Sequence, residues 1–498
     1  MTLVLMIGIL LLGGIVCWLV AQRNALVGRW IALIAVITAF AMPIGWYLRH
    51  APAITAGNNW LIHYQANWIP SFGISFHLAM DGLGFIMILL TFLLGVLSVL
   101  CSWNEIRERS GFYFFNLLWT LAGIAGVFVA MDLFLFYFFW EVMIVPMYFL
   151  IAIWGDFNRR YAAYKFFIFT QTGGLLMLLA ILALYFIHGE QSGGHYTFDY
   201  FALLNTTLTG SAGRWIMLGF LIAFVIKLPM VPLHNWLPDA HSEAPTAGSL
   251  ILAGLLLKTG AYGIIRFVLP LFPQASADVA WWAMLLGVVG IVYGALLAFA
   301  QTDLKRLIAY TSVSHMGFVL LGAFAFREIA LQGVVMQLLT HGVSTGALFV
   351  LAGMLKERLH TRDINQMGGL WTVMPHMGAL AMVFVMASLG LPLLGNFIAE
   401  FLILMGTFEV SPVLTVIASV GIVLSALYSL RIVQKVFMGQ LQVVIEPPVD
   451  LSIREWIIMA CLTAAIVFLG LYPQPVFDVI KETFLVTSYQ LPVTGGSN

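Results

Sequence analysis

The chain has 498 residues, of which 62% are hydrophobic and 9% are charged, and its formal net charge at pH 7 is zero. Soluble domains have roughly 45–50% apolar and about 25% charged residues, so this composition excludes an ordinary water-soluble fold. The neutral charge balance gives no indication of nucleic acid or of an acidic partner.

Apolar stretches long enough to cross about 30 Å of hydrocarbon recur along the whole chain. We predict fourteen transmembrane helices, at 3–20, 29–48, 82–101, 111–130, 133–153, 164–187, 215–236, 247–269, 279–299, 306–324, 328–353, 374–409, 413–437 and 453–472. We identify no strand-like alternation, and only helices or a closed barrel satisfy the backbone in lipid. The sequence therefore predicts an all-α polytopic membrane protein, whose first segment is a retained helix because it lacks the features of a signal peptide.

Basic residues predict the orientation, because cytoplasmic loops retain Lys and Arg. If the N-terminus lies outside, most of the 22 Lys and Arg lie in cytoplasmic loops or at the adjoining helix ends. These residues are Arg23, Arg29, Arg107, Arg109, Arg159, Arg160, Lys165, Lys305, Arg306, Lys356, Arg358, Arg362, Arg431, Lys435 and Arg454. The opposite face holds Arg49, Arg214, Arg327 and Lys481. We therefore expect both termini to face the periplasm.

The sequence contains no recognisable motif for a cofactor. Cys17, Cys101 and Cys461 are scattered through apolar segments without C-x-x-C spacing, which favours neither an iron–sulfur nor a zinc nor a disulfide framework. Phosphate-binding glycine motifs are also absent. Any transport must therefore be driven by an ion gradient or by a partner that carries out redox chemistry.

Six ionisable side chains lie deep within predicted membrane segments, where each costs at least about 2.5–3.5 kcal/mol unless it has a partner, water or a function. They are Glu141, Lys227, Lys258, His315, His341 and Glu400.

Each of these residues also has a structural interpretation. A lone His315 or His341 is often a hydrogen-bonded core residue, and Glu141 could simply neutralise a lysine. A desolvated lysine, by contrast, can load and release a proton. Six such groups on six segments together favour a row of titratable sites for proton transfer. Arg266 lies near a segment end, where snorkelling is the simple interpretation.

Two of the predicted helices are interrupted by helix breakers. Pro229 and Pro232 follow Lys227, and Gly390 and Pro392 precede Glu400. Proline removes a backbone donor and disfavours helical geometry in the residue before it. Interrupted helices in corresponding parts of two halves indicate a transport site, although a simple kink remains the alternative.

The order of the segments suggests an internal repeat. Segments four to eight and nine to thirteen each number five, and the interrupted helix is fourth in both sets. An odd number of helices places the second copy in the opposite orientation, so we predict two inverted five-helix repeats. The expected regions are an N-terminal three-helix region at 1–110, the first repeat at 111–270, the second repeat at 271–437, and a C-terminal helix and tail at 438–498.

Several runs of residues resemble the antiporter-like subunits of respiratory complex I over nearly the whole chain. These runs are FWEVM at 139–143, KLP through LPDAH at 227–241, APTAGS at 244–249, LKTGAYG at 257–263 and DLKRLIAYTSVSHMG at 303–317. The run GNFIAEF at 395–401 is similar to one branch of that family, because other branches carry lysine where Glu400 stands. A long amphipathic extension, typical of another branch, does not follow the last segment.

The resemblance implies a function for the residues of the first half. Glu141 would be the carboxylate partner of Lys227, and Lys258 would be the central relay lysine. His234, in the unwound segment, is a further candidate.

The implied path continues into the second half. His315 and His341 would carry a hydrated proton chain onward, and Glu400 would end it. Relatives usually have glycine at the position of Leu393, so the second break is expected to be tighter in this chain.

The resemblance implies a proton-conducting subunit of NADH:quinone oxidoreductase in the bacterial inner membrane. Flavin, iron–sulfur clusters and quinone would lie on partner subunits, with no cofactor or redox centre on this chain. Its expected partners are other membrane subunits of the complex, including neighbouring antiporter-like subunits, together with the lipid bilayer.

Two alternatives remain at this point. A cation/proton antiporter subunit of the Mrp type shares the helices, lysines and breaks, and Glu400 is the main reason to disfavour it. A non-conducting structural spacer of a membrane complex is the second alternative.

Overall fold

The computed structural model describes residues 1–50, 60–208, 210–442 and 449–490. Helices dominate this part of the chain, as predicted. The first six are α1 (Thr2–Ala21), α2 (Ala25–His50), α3 (Gly82–Glu105), α4 (Ser110–Val129), α5 (Leu133–Trp154) and α6 (Arg159–Gln191).

A β-hairpin connects α2 and α3, so the prediction that the chain has no strand-like alternation is wrong at this point. The antiparallel strands are β1 (Ile62–Ile69) and β2 (Ile74–Met80). Buried and exposed side chains alternate over only a few residues of the hairpin; in β1, for example, Ile62 is buried and His63 is exposed. Strands of seven or eight residues are much shorter than a membrane-spanning helix, so the apolar stretches that predict helices do not indicate them.

The central helices contain the first predicted break. They are α7 (Tyr200–Leu203), α8 (Gly210–Lys227), α9 (Trp236–Glu243) and α10 (Thr246–Leu271). The chain leaves the helical conformation after Lys227 and turns until Trp236 begins α9. Pro229 and Pro232 cannot donate backbone hydrogen bonds, which accounts for the interruption. Helix α10 contains two π-helical turns, Leu252–Leu256 and Ile264–Val268.

The second break separates two short helices in the later part of the chain. The elements here are α11 (Pro273–Ala300), α12 (Leu304–Ala323), α13 (Glu328–Leu359), α14 (Pro375–Ser388), α15 (Gly395–Phe408), α16 (Pro412–Phe437), α17 (Ile453–Leu471) and α18 (Gln474–Gln490). Between α14 and α15, Gly390 and Leu393 adopt φ values of 80° and 81°. This left-handed conformation suits glycine and strains leucine.

Carboxylates at helix starts fix the ends of several helices. Asp132 accepts hydrogen bonds from the backbone N–H groups of Phe134 and Leu135, both at 3.0 Å, and Asp81 caps α3 in the same way. Arg266 donates to Asp81 Oδ2 at 2.5 Å and is buried. It therefore does not snorkel: its guanidinium turns inward to the carboxylate that caps α3.

Twelve described helices are long and apolar enough to cross a membrane by length and composition. Helix α12 is not among them, and α14 and α15 are each too short alone. The count of fourteen, the inverted repeat, the region boundaries and the orientation remain predictions. Residues 51–59, 443–448 and 491–498, which belong to the predicted first and last regions, lie outside the described residues. Within the last region, α18 packs against α3.

Candidate functional site

Lys258 lies at the centre of the bundle, in the helical turn that follows the first π-helical turn of α10. Its side chain is completely buried. Nζ donates a hydrogen bond to the Ala253 carbonyl oxygen at 2.5 Å and lies 2.6 Å from Nδ1 of His341. Because a π-helical turn shifts the hydrogen-bonding register, a carbonyl of the same helix is available to the lysine. The contact with His341 joins α10 to α13.

The contacts continue from His341 to the second half of the chain. The His341 and His315 rings lie 5.6 Å apart between centroids, at 67°. His315 Nδ1, on α12, is 3.0 Å from Glu400 Oε1 on α15. Both side chains are almost fully buried. Four of the predicted residues, Lys258, His341, His315 and Glu400, therefore form one row across four helices.

The second break holds the far end of this row in place. Glu400 stands five residues into α15, and its Oε2 lies 3.4 Å from the position that a Cβ on Gly390 would occupy. The backbone at Gly390, in the second break, therefore lies close to the Glu400 carboxylate.

His315 has further polar neighbours that the sequence did not reveal. Its Nε2 lies 3.3 Å from the Tyr428 hydroxyl and 3.4 Å from Ser388 Oγ. Gln337 Nε2 is 3.4 Å from Nδ1 on the other side of the ring. Serine, glutamine and tyrosine are common in helices, so only their position in the fold singles them out.

Lys227 and Glu141, the predicted partners, are not in hydrogen-bond contact. Lys227 is completely buried, and its Nζ makes no hydrogen bond with any described residue. The ammonium group lies over the rings of Trp140 and Phe166, 5.4 and 5.2 Å from their centroids. Cation–π attraction replaces part of the hydration lost on burial.

Glu141 is half-buried and follows Trp140 directly in the chain. It accepts a hydrogen bond from Gln171 Nε2 at 3.3 Å. Its carboxylate makes no hydrogen bond with Lys227 Nζ. Gly174 leaves room for the carboxylate, because a Cβ there would be 3.1 Å from Oε1.

His234 stands apart from the row. It is buried in the first break, where its ring centroid lies 5.6 Å from that of Tyr293 and 6.3 Å from that of Tyr310. The structure therefore places six of the seven candidates in two groups, one at Lys258 and one at Lys227, with His234 between aromatic rings.

A buried histidine and a buried lysine escaped the sequence reasoning. His241, on α9, is stacked on Phe349 at 4.5 Å and 10°, and neither ring nitrogen is hydrogen-bonded within the part of the chain described. Lys305 donates to the Ala244 carbonyl at 2.8 Å. Both residues fell in stretches that we had assigned to loops, although each belongs to a run quoted for the resemblance.

An ion-pair network joins several connections on the face that we predict to be cytoplasmic. Arg362, after α13, pairs with Asp156, Glu243 and Asp303, at N···O distances of 3.1, 3.4 and 3.1 Å. Lys356 also pairs with Asp156. The described residues include no group of three or more His, Cys, Asp or Glu suited to a metal ion.

Comparisons with known proteins match nearly the whole chain. Residues 130–425 match a family model described as NADH:quinone oxidoreductase/Mrp antiporter, transmembrane. Two similar proteins, both named NADH-quinone oxidoreductase subunit M, come from Pseudomonas aeruginosa and Escherichia coli K12. They are 53% and 52% identical to this chain over 478 and 477 residues, and each match covers 94% of both proteins.

Solved structures show the same likeness. A chain of respiratory complex I from Thermus thermophilus, with bound NADH, has a TM-score of 0.88 at 30% identity and is covered over 100% of both chains. A chain of the Mrp complex from Dietzia sp. DQ12-45-1b has a TM-score of 0.85 at 21% identity, covering 98% of both chains. At this lower identity, the second likeness concerns the fold alone.

Proposed function

This chain belongs to the NADH:quinone oxidoreductase/Mrp antiporter family of transmembrane proteins, and from its row of buried titratable groups we propose that it conducts protons as a membrane subunit of NADH:quinone oxidoreductase. The run GNFIAEF with Glu400 predicts the subunit M branch of this family, and both bacterial relatives carry the name subunit M.

The observation that carries the proposal is the row Lys258, His341, His315 and Glu400. These side chains belong to four different helices, and consecutive members lie in contact or ring to ring. A structural spacer has no need for four buried ionisable groups in line, since each would be more stable as a well-packed apolar residue. A proton, in contrast, needs donors and acceptors in sequence.

The contact between Lys258 Nζ and His341 Nδ1 is a hydrogen bond only when one of the two nitrogens carries the single proton that lies between them. Nζ of an ammonium group has donors but no acceptor, and a neutral imidazole nitrogen without hydrogen accepts. Protonation of His341 Nδ1 would therefore repel a charged Lys258. A proton that arrives at one end of the row shifts the proton at the next position, which is the elementary step of a relay.

Lys227 and Glu141 would control this row electrostatically. The aromatic rings hold Lys227 in a position where it feels the charge of Glu141 without touching it. A displacement of Glu141 toward or away from Lys227 would favour or disfavour its charged state. A neighbouring subunit that moves Glu141 could thus load or release a proton.

The energy for this movement would come from other subunits. We propose that flavin, iron–sulfur clusters and quinone lie on partner chains, with no redox centre on this one. We also propose the inner-membrane location with periplasmic termini, the two inverted repeats and the four regions described above. An Mrp-type antiporter remains the alternative that the shared fold allows.

Substitution of Glu400 by Gln tests the proposal, because it keeps the volume of the side chain but removes its titration. We expect NADH-driven proton uptake per assembled complex to fall by at least about tenfold. Glu409→Gln is the matched control, since Glu409 ends the same helix at an exposed position and pairs with Arg327. Normal uptake by the Glu400→Gln complex would contradict proton conduction through this row, and sodium-dependent proton exchange without NADH would favour the antiporter.

A further inference from the structure

His315 presents its two ring nitrogens to two different kinds of group. Nδ1 faces the Glu400 carboxylate, and Nε2 faces the hydroxyls of Tyr428 and Ser388. We propose that Tyr428 and Ser388 are positioning residues that allow His315 to exchange its tautomer as protons pass. This inference rests on the proposed function.

His315 has two neutral states, which differ in the ring nitrogen that carries the proton. When Glu400 is ionised, the imidazole proton lies on Nδ1, and this N–H group donates a hydrogen bond to Oε1 of Glu400. Nε2 then has no proton and is a hydrogen-bond acceptor. When Glu400 is protonated, it donates to Nδ1, and the imidazole proton lies on Nε2. The partner of Nε2 must therefore donate in one state and accept in the other.

A hydroxyl group meets this requirement, because it has both a donor and acceptor lone pairs. A backbone carbonyl could only accept, and an ammonium group could only donate. Passage between the two states needs one proton, released by His341 and replaced there from Lys258, to join Nε2, which gives an imidazolium, and the Nδ1 proton then to move to Glu400. The hydroxyls of Tyr428 and Ser388 accept a hydrogen bond from Nε2 after the proton has joined it.

The position of Ser388 supports a specific role. Serine and threonine in helices usually donate to the carbonyl one turn earlier. Thr340 and Thr407, on neighbouring helices, do so at 2.9 and 2.7 Å. In the described chain, Ser388 lies at the last residue of α14 and makes its contact with His315 instead. Tyr428 comes from α16 and is completely buried.

The remaining groups around His315 do not duplicate this function. Glu400 and Gln337 both lie on the Nδ1 side. His341 faces the ring at 5.6 Å. Together with Tyr428 and Ser388 they are the titratable and polar groups that neighbouring helices direct toward His315 in the described residues.

The test compares Tyr428→Phe, Ser388→Ala and the double variant in the assembled complex. Ser429→Ala is the control, because Ser429 is the next residue of α16, is buried, and has an Oγ without a hydrogen-bond partner among the described residues. We expect NADH-driven proton uptake to fall about 3- to 10-fold in each single variant and by more in the double variant. The control should pump as the unmodified complex does.

The pH profile separates a positioning role from a packing role. Loss of the hydroxyls destabilises one tautomer of His315, so the pH at which uptake is half-maximal should move in the Tyr428 and Ser388 variants. A packing defect would lower uptake at all pH values alike. An unshifted profile would overturn the inference, as would normal uptake by the double variant. If Glu400→Gln is impaired while the double variant is normal, the relay stands and only this inference fails; if both pump normally, the proposed function fails.

Discussion

At the scale of single residues, Lys227 is held by aromatic rings instead of by the carboxylate that its sequence suggested. Trp140 stands next to Glu141 in the chain, so the same short run supplies both an aromatic ring that contacts the ammonium group and the carboxylate proposed to act on it. A low-dielectric interior transmits the charge of Glu141 across this gap, so a displacement of Glu141 changes its attraction for Lys227 without first having to break a hydrogen-bonded contact.

Substitution of Glu141 by Gln should therefore reduce both electron transfer from NADH and proton uptake, by at least about tenfold, in membranes with normal amounts of assembled complex. The change removes the charge that acts on Lys227 and keeps a group that can bond Gln171. Glu190→Gln, at an exposed position near the end of α6, is the control and should leave both rates unchanged. Full activity of the Glu141→Gln complex would rule out the electrostatic control.

The sequence allowed the ionisable residues of the row to be predicted because charge inside an apolar segment is rare and visible. Their mutual contacts could not be predicted, since Lys258 and His341 are 83 residues apart and meet only through packing. Tyr428 and Ser388 carry no charge and therefore gave no signal. His241 lies beyond the end of the predicted segment 215–236, on the short helix α9 that follows the break.

At the scale of elements, the two breaks were predictable and the hairpin was not. Helix breakers that lie close together, Pro229 with Pro232 and Gly390 with Pro392, favour an interruption, so 227–236 and 389–396 are recognisable without tertiary information. The hairpin is shorter than a membrane span, and one of its contacts depends on a distant residue, since His77 Nδ1 is hydrogen-bonded to the Asp199 carboxylate.

Leu393 carries strain in the second break, and its replacement by glycine should relieve it. The side chain is 67% exposed, so little packing is lost, whereas φ is 81°. We expect Leu393→Gly to leave stability unchanged or to raise it by up to about 1 kcal/mol. Thermal inactivation of the assembled complex measures the effect. Gly390→Ala is the reciprocal variant and should destabilise, since it places a side chain at φ 80°; destabilisation by Leu393→Gly would contradict the strain.

At the scale of the whole molecule, ion pairs on one face link connecting segments that are far apart in the sequence. Arg362 joins the loops before α6, α10 and α12, so the first and second halves meet in one ion-pair network. By the predicted topology, this face also carries most of the basic residues, which is the basis for the predicted orientation.

Reporter fusions test this orientation. A reporter inserted at 159–160 should behave as cytoplasmic. One inserted between Gly193 and Gly194, where the backbone borders open space, should behave as periplasmic, as should a fusion after Asn498, which lies outside the described residues. The reverse pattern would overturn the predicted topology while leaving the row of buried residues intact.

The most direct test of proton conduction is NADH-driven proton uptake, normalised to assembled complex, for Lys258→Arg and Lys258→Met. A relay lysine must release its proton, and arginine remains protonated at any working pH. Both variants should therefore assemble and lose at least about tenfold in uptake, while Lys435→Met, at an exposed position, should pump normally. A structural cation would tolerate arginine and fail to assemble with methionine; wild-type uptake by the Lys258→Arg complex would contradict the relay.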